Sequence, residues 1–169
     1  MDDEEVGKPR IKFVRDSARQ LLKQAKITTY PIKVKDVLKI VPNLHIDSAE
    51  LEDEISGMQA TVGENIYIRY NESHPKIRKR FTVSHELGHA FLGHTLGCRQ
   101  GSNLKSKNPF EIEANQFAAE LLMPFSMLKE AVKKSKTVSS LAYDFWVSKE
   151  AMSWRIKDTS LYIKLTSWN

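Results

Sequence analysis

Cysteine is the scarcest chemical resource in this 169-residue chain: Cys98 stands alone. One thiol forms no internal disulfide and no cysteine-based metal knuckle, so neither is expected, and Cys98 reads as a plain loop residue. No apolar stretch approaches the roughly twenty residues that a membrane-spanning helix needs. No basic, apolar leader is expected either, because the start, Met1-Asp2-Asp3-Glu4-Glu5, is acidic. The expected location is therefore the cytoplasm, with no membrane partner. Repeats and low-complexity tracts are also absent. What remains, 41% hydrophobic and 28% charged, is the composition of an ordinary globule, and a single domain over residues 1–169 is expected.

Hydrophobic spacing lays out the elements. Val14, Ala18, Leu21, Leu22 and Ala25 mark an amphipathic first helix. Val34, Val37, Leu38 and Val41 mark a short second one stopped at Pro42. Leu44–Asp47 is a brief strand candidate, and 57–62 with 65–71 read as a hairpin about Gly63-Glu64. A further helix is predicted over 74–92, with Ser73 as its cap, and another from Asn108-Pro109 to a stop at Pro124. Leu161–Leu165 is predicted to add a last strand. The expected fold class is α+β, a small, mostly antiparallel sheet with five or six helices.

His85-Glu86-Leu87-Gly88-His89 carries the chemistry. On a helix, residues i and i+4 point the same way, so both imidazoles can reach one zinc ion, with Glu86 beside the open coordination position. A catalytic zinc usually takes a third protein ligand. His94 is the nearest candidate, but continuing the helix turns it about 180° away from His85, so it reads as a surface or helix-end histidine.

The helix after Asn108 offers three carboxylates. Glu113, Gln116 and Glu120 form a polar stripe with the spacing of a solvated face. Glu111, Asn115, Ala118 and Leu122 form another stripe, whose small residues suit close approach of a second helix. An inward Glu111 requires a partner, because a buried, unpaired carboxylate is costly. A metal supplies one; the alternative is that Glu111, three residues after Asn108, closes a capping box and binds nothing. Asn115, one turn on, is placed to hold the outer nitrogen of His85 or His89 and aim that ring.

With Arg80-Phe81-Thr82-Val83-Ser84 ahead of the His-Glu motif, and Glu111-Ile112-Glu113-Ala114-Asn115-Gln116-Phe117-Ala118-Ala119-Glu120-Leu121-Leu122-Met123-Pro124 after it, the chain resembles the ImmA/IrrE-like metallopeptidases of bacteria and their mobile elements. The resemblance implies a zincin-like active-site helix pair of the gluzincin kind. In it His85, His89 and Glu111 hold Zn2+, and Glu86 is the catalytic base. It also implies an endopeptidase that cleaves a cytosolic helix-turn-helix transcriptional repressor encoded nearby. The expected layout is N-terminal helices and a β-hairpin over 1–72, the zinc-site helices over 73–124 and C-terminal helices over 125–169. Histidine and carboxylate ligands would also accept manganese, cobalt or iron.

Other features carry lesser expectations. Strand 65–71, leading almost directly into the motif helix, is a candidate for pairing with an extended peptide. Tyr70, Tyr143, Arg155 and His94 are candidate oxyanion donors, with Asp158 the alternative partner of Arg155. Residues 93–107 read as a lid or a long connection. The cluster Lys76, Arg78, Lys79, Arg80 could attract an acidic partner or nucleic acid, though such a cluster is more often a solvated face. Residues 137–157 have the rhythm of a helix-turn-helix. Trp146 sits where glycine is usual, and Met152 and Trp154 stand where base-reading polar residues belong, so direct nucleic-acid binding is not expected. A protein that uses the same metal site to sequester its partner without cutting it is the remaining alternative; an intact Glu86 argues against it.

Overall fold

The computed structural model describes residues 7–94, 104, 106–134 and 137–164. Cys98 lies outside the described residues, as does most of the connection read as a lid. The fold is α+β. Its elements run α1 (Ile11–Gln24), α2 (Val34–Leu38), β1 (Leu44–Ala49), β2 (Gly57–Val62), β3 (Asn65–Asn71), α3 (Lys76–Phe91), α4 (Pro109–Leu122), α5 (Phe125–Lys134), α6 (Val138–Phe145) and α7 (Lys149–Asp158).

Both strands of the hairpin fall where alternation predicts, and β2 pairs antiparallel with β3 from Gly57↔Tyr70 to Val62↔Asn65. The expectation of a mostly antiparallel sheet is corrected by β1. It pairs parallel with β3, Leu44↔Ile66 through Ala49↔Asn71, giving a mixed sheet of order β1-β3-β2. Alternation reveals that a strand exists; the return path between strands sets its direction, and here residues 50–56 carry the chain across to the far edge. Buried Asn71 organises that crossing by donating from Nδ2 to the carbonyls of Leu51, Glu52 and Ile55. Because β3 is central, both its edges are occupied and no peptide can add to 65–71.

There are seven α-helices among the described residues, against five or six expected, since the C-terminal third breaks into α5, α6 and α7. Leu161–Lys164 forms a 3₁₀ turn, where a strand was expected. Ser73 does not cap α3: its own N–H donates to Asn71 Oδ1, and Pro75 takes the cap position. Asn108 does cap α4, its Oδ1 accepting from Phe110 N at 2.9 Å. The turn between α6 and α7 forms as its rhythm suggests. Trp146 adopts the left-handed conformation that glycine usually supplies, and Ser148 caps α7 by accepting from Ala151 N. The inner face of α7 is buried through Ala151, Met152, Arg155 and Ile156.

Helix α4 lies between two apolar clusters. Phe117 and Leu121 join α1, α2, Ile68 and Leu87 on one side; Leu122 and Met123 join α5, α6 and α7 on the other. Helix α3 crosses close to α4 because Gly88 has no side chain: a Cβ there would lie 3.0 Å from Phe117 Cβ. At the sheet, a Cβ on Gly57 would lie 2.5 Å from Thr82 Cγ2 and 3.5 Å from Glu86 Cγ. The start of β2 therefore lies directly against the motif helix.

The polar stripe of α4 is not a solvated face. Glu113 and Glu120 are 3% and 0% exposed, because α1 and its cap residue cover them with a matching row of cations. Arg10 meets Glu113, Arg15 donates to Gln116 Oε1 and Arg19 donates to Glu120 Oε1. Helical spacing identifies a polar face, but it does not distinguish water from a facing basic helix. In the basic cluster of α3, three members are committed: Arg78 donates to Ser56 Oγ, Lys79 donates to Glu72 O, and Arg80 donates to Ile32 O and stacks over Trp146.

Candidate metal centre

One helical turn apart on α3, the His85 and His89 rings bring their Nε2 atoms to 3.0 Å. The first turn of α4 brings the Glu111 carboxylate to both, with Oε2 3.2 Å from His85 Nε2 and Oε1 3.3 Å from His89 Nε2. These three buried side chains form a group that could hold a metal ion, with ligand atoms all within 4.8 Å of one another. A closed capping box would need Glu111 to reach back to Asn108 N. That group donates instead to Ser106 Oγ, and the Glu111 oxygens lie on the histidines.

The outer nitrogens decide whether the cluster suits a cation. His85 Nδ1 lies 3.0 Å from Asn115 Oδ1, the support expected from the sequence, and an amide oxygen can only accept, so His85 Nδ1 carries the proton. His89 Nδ1 lies 2.9 Å from Nδ1 of His94, whose own Nε2 is 3.0 Å from Glu113 Oε2. Facing a carboxylate, His94 Nε2 carries its proton; in the neutral ring Nδ1 is then bare and accepts from His89 Nδ1. Both Nε2 atoms are thereby left as lone pairs, converging with a carboxylate. Such a set requires positive charge at its centre. Tetrahedral zinc, with bonds of about 2.0–2.1 Å, would hold two nitrogens about 3.3 Å apart, close to the spacing found, so the residues fit a divalent ion.

His94 is the residue that helical-wheel reasoning misplaced. The wheel assumes that the helix continues, but it stops at Leu92, and Gly93, with φ +71°, reverses the chain. His94 N then donates to His89 O, Gln59 Nε2 donates to His94 O, and the ring is buried at 4% exposure against Phe110. The available signal was the glycine before it. Glu113 was misplaced as well, and its signal was Arg10 at the cap of the facing helix.

Burial and charge set the protonation of the acids. Glu86 is buried, and desolvation pushes its pKa up to about 7. Burial also acts against ionised Glu111, but whenever His85 or His89 carries a proton on Nε2 its hydrogen bond and charge outweigh burial and hold that carboxyl well below the usual range; a cation between the bare nitrogens acts with the same sign. For Glu113 the Arg10 hydrogen bonds likewise overcome burial and bring the pKa down to about 2. Burial lowers His94 and favours its neutral ring.

The remaining donor candidates are not gathered at the cluster. Arg155 is buried against Glu120 and Met123 O, with Asp158 3.6 Å away; Tyr143 is exposed on α6; and Tyr70 packs against the C-terminal core cluster. Beside Asn115, a cavity of about 420 Å3 opens between α3, α4 and α7, with Phe81, Ile112, Ala119, Met123 and Trp154 in its walls. No helix among the described residues is long and apolar enough to cross a membrane.

The IrrE N-terminal-like domain of the M78 peptidase class matches residues 43–157. The chain is 28% identical, over 132 residues, to the "Uncharacterized immunity region protein 2" of Bacillus phage phi105, covering 77% of this chain and 80% of that protein. Its fold is similar to that of a Mycobacterium tuberculosis transcriptional regulator, with a TM-score of 0.62 at 12% identity over 86% of this chain. The chain spans about half, 46%, of that regulator's length.

Proposed function

The chain belongs to the M78 peptidases with an IrrE N-terminal-like domain, a metallopeptidase family, and from that premise we propose that it is a zinc-dependent endopeptidase acting on a cytosolic helix-turn-helix repressor. The observation that carries this reading is the convergence of His85, His89 and Glu111 on one point, with buried Glu86 next to them on the same helix. The name of the phage relative, an immunity region protein, supports a repressor as the target.

In this reading His85 Nε2, His89 Nε2 and Glu111 hold the ion. Zinc bound there supplies Lewis acidity, acidifying water and polarising a peptide carbonyl. The Glu86 carboxylate takes the proton from the attacking water and delivers it to the leaving amine, a task suited to an acid whose proton affinity burial has brought near neutrality. Asn115 holds the His85 ring in the form that leaves Nε2 bare. Edge strand β2, lying against Thr82 and Glu86 at Gly57, offers backbone groups to an extended peptide. The cavity beside Asn115 has apolar walls suited to one of the peptide's side chains.

The test combines elemental analysis with cleavage of repressors encoded beside the gene, read by mass spectrometry. Wild type should hold about one zinc per chain, Glu111→Ala should lose it, and Glu86→Gln should keep it while cleavage falls by about 10²–10⁴-fold. A wild type that takes up no metal overturns the reading. A Glu86→Gln protein that keeps its metal and still inactivates the partner replaces proteolysis with sequestration.

A further inference from the structure

We propose that His94 and Glu113, seated by Arg10, are positioning residues that keep His89 in its Nδ1–H form and make metal capture depend on docking of the start of α1. The inference rests on the metal site proposed above and adds three residues to it.

The geometry forms one continuous chain. His89 Nδ1 meets His94 Nδ1 at 2.9 Å, and His94 Nε2 meets Glu113 Oε2 at 3.0 Å. Arg10 closes the chain three times, from its backbone N to Oε1 at 2.7 Å, from Nε to Oε1 at 2.9 Å and from Nη2 to Oε2 at 2.6 Å. Each link dictates the next proton. Arg10 can only donate, so it stabilises Glu113 as an acceptor; Glu113 takes the His94 Nε2 proton; His94 Nδ1 is then the acceptor that His89 needs. A ring fixed this way presents its Nε2 lone pair without reorganisation, and hydrogen bonding at the outer nitrogen raises ligand basicity.

His94 is held independently by its neighbours. Its backbone N donates to His89 O and its carbonyl accepts from Gln59 of β2, so α3, the sheet and α4 all locate the ring. The last link comes from outside the family-domain match, which begins at residue 43, whereas Arg10 precedes α1 directly. Seating of the first helix is thereby tied to the metal cluster through one residue, whose half-exposed side chain can be exchanged without opening the core while its backbone N–H stays on Glu113.

The full-length chain, stripped of metal, is titrated with Zn2+ and with Co2+ against a chromogenic chelator. Wild type is compared with His94→Leu, His94→Gln and Arg10→Ala, and a urea midpoint is taken for each. His94→Leu should weaken both metals by about 10–100-fold and alter the visible Co2+ spectrum. His94→Gln keeps an acceptor toward His89 and a donor toward Glu113, and should recover most of that loss. Arg10→Ala should show a smaller loss in the same direction. Wild-type affinity and spectrum in folded His94→Leu overturn the inference, as does an equal loss in Leu and Gln variants that merely follows the urea midpoint. If His94→Leu does not fold, wild-type affinity in Arg10→Ala overturns it. A wild type that takes up neither metal overturns the underlying site instead, so the two failures are distinguishable.

Discussion

Glu113 and Glu120 sit two turns apart on the same face of α4, share one sequence pattern, and are each sealed beneath an arginine, Arg10 at the cap of α1 and Arg19 within it. Beyond that arginine they diverge. Glu113 passes its charge inward to His94 and so to the His85–His89–Glu111 cluster. Glu120 accepts from Arg155 on α7 and from Phe125 N at the start of α5, and Arg155 in turn donates to Met123 O. One end of the stripe thus supports the candidate site, and the other end joins four helices. A carboxylate's role here is set by its second partner, His94 for Glu113 and Arg155 for Glu120, since burial and an arginine on the α1 side are common to both.

The sharpest way to break this contrast is Glu120→Ala. It leaves Arg155, 1% exposed, as a buried charge without its carboxylate, and should cost about 3–5 kcal/mol, read as a fall in the urea midpoint. Zinc affinity of the folded fraction should stay at the wild-type value. Glu113→Ala should reverse the pattern. Arg10 can turn to solvent, so the stability loss is expected at about 1–3 kcal/mol for the stranded His94 N–H, while zinc affinity falls about tenfold or more. Equal effects of the two substitutions on metal affinity would abolish the distinction.

Asp47→Asn supplies the lower bound. The Asp47–Arg69 pair joins β1 to β3 on the open face of the sheet with both side chains exposed, so the substitution should leave both the urea midpoint and metal affinity unchanged at physiological salt. The Arg69 hydrogen bond holds the Asp47 carboxyl below its ordinary value. Any contribution it makes is therefore present above the unfolded pKa and lost as pH falls through the folded one. A variant midpoint that separates from wild type near neutral pH would show that exposure is a poor guide to these ion pairs.

Much of the site was legible beforehand for a physical reason. His85, His89, Glu111 and Asn115 all lie within regular helices, where spacing alone determines which side chains share a face. Asn108 and Pro109 marked the start of α4 through local chemistry, and the β2–β3 hairpin followed from alternation about a tight turn. His94 escaped because it lies just past a helix end, where a positive-φ glycine cancels helical extrapolation. Glu113, Glu120 and Arg155 escaped because their partners are about a hundred, about a hundred and 35 residues away along the chain.

The sequence by itself therefore determined the α+β class, the helices that carry the His-Glu motif and Glu111, and the facing of those residues, since each depends on periods of a few residues and on local capping. Tertiary structure alone decided the parallel pairing of β1, the central place of β3, the burial of the acidic stripe beneath Arg10, Arg15 and Arg19, and the turn of His94 onto His89. Those outcomes depend on which distant surfaces meet, and a polar side chain follows the same spacing rule whether it faces water or the one cation that fits it.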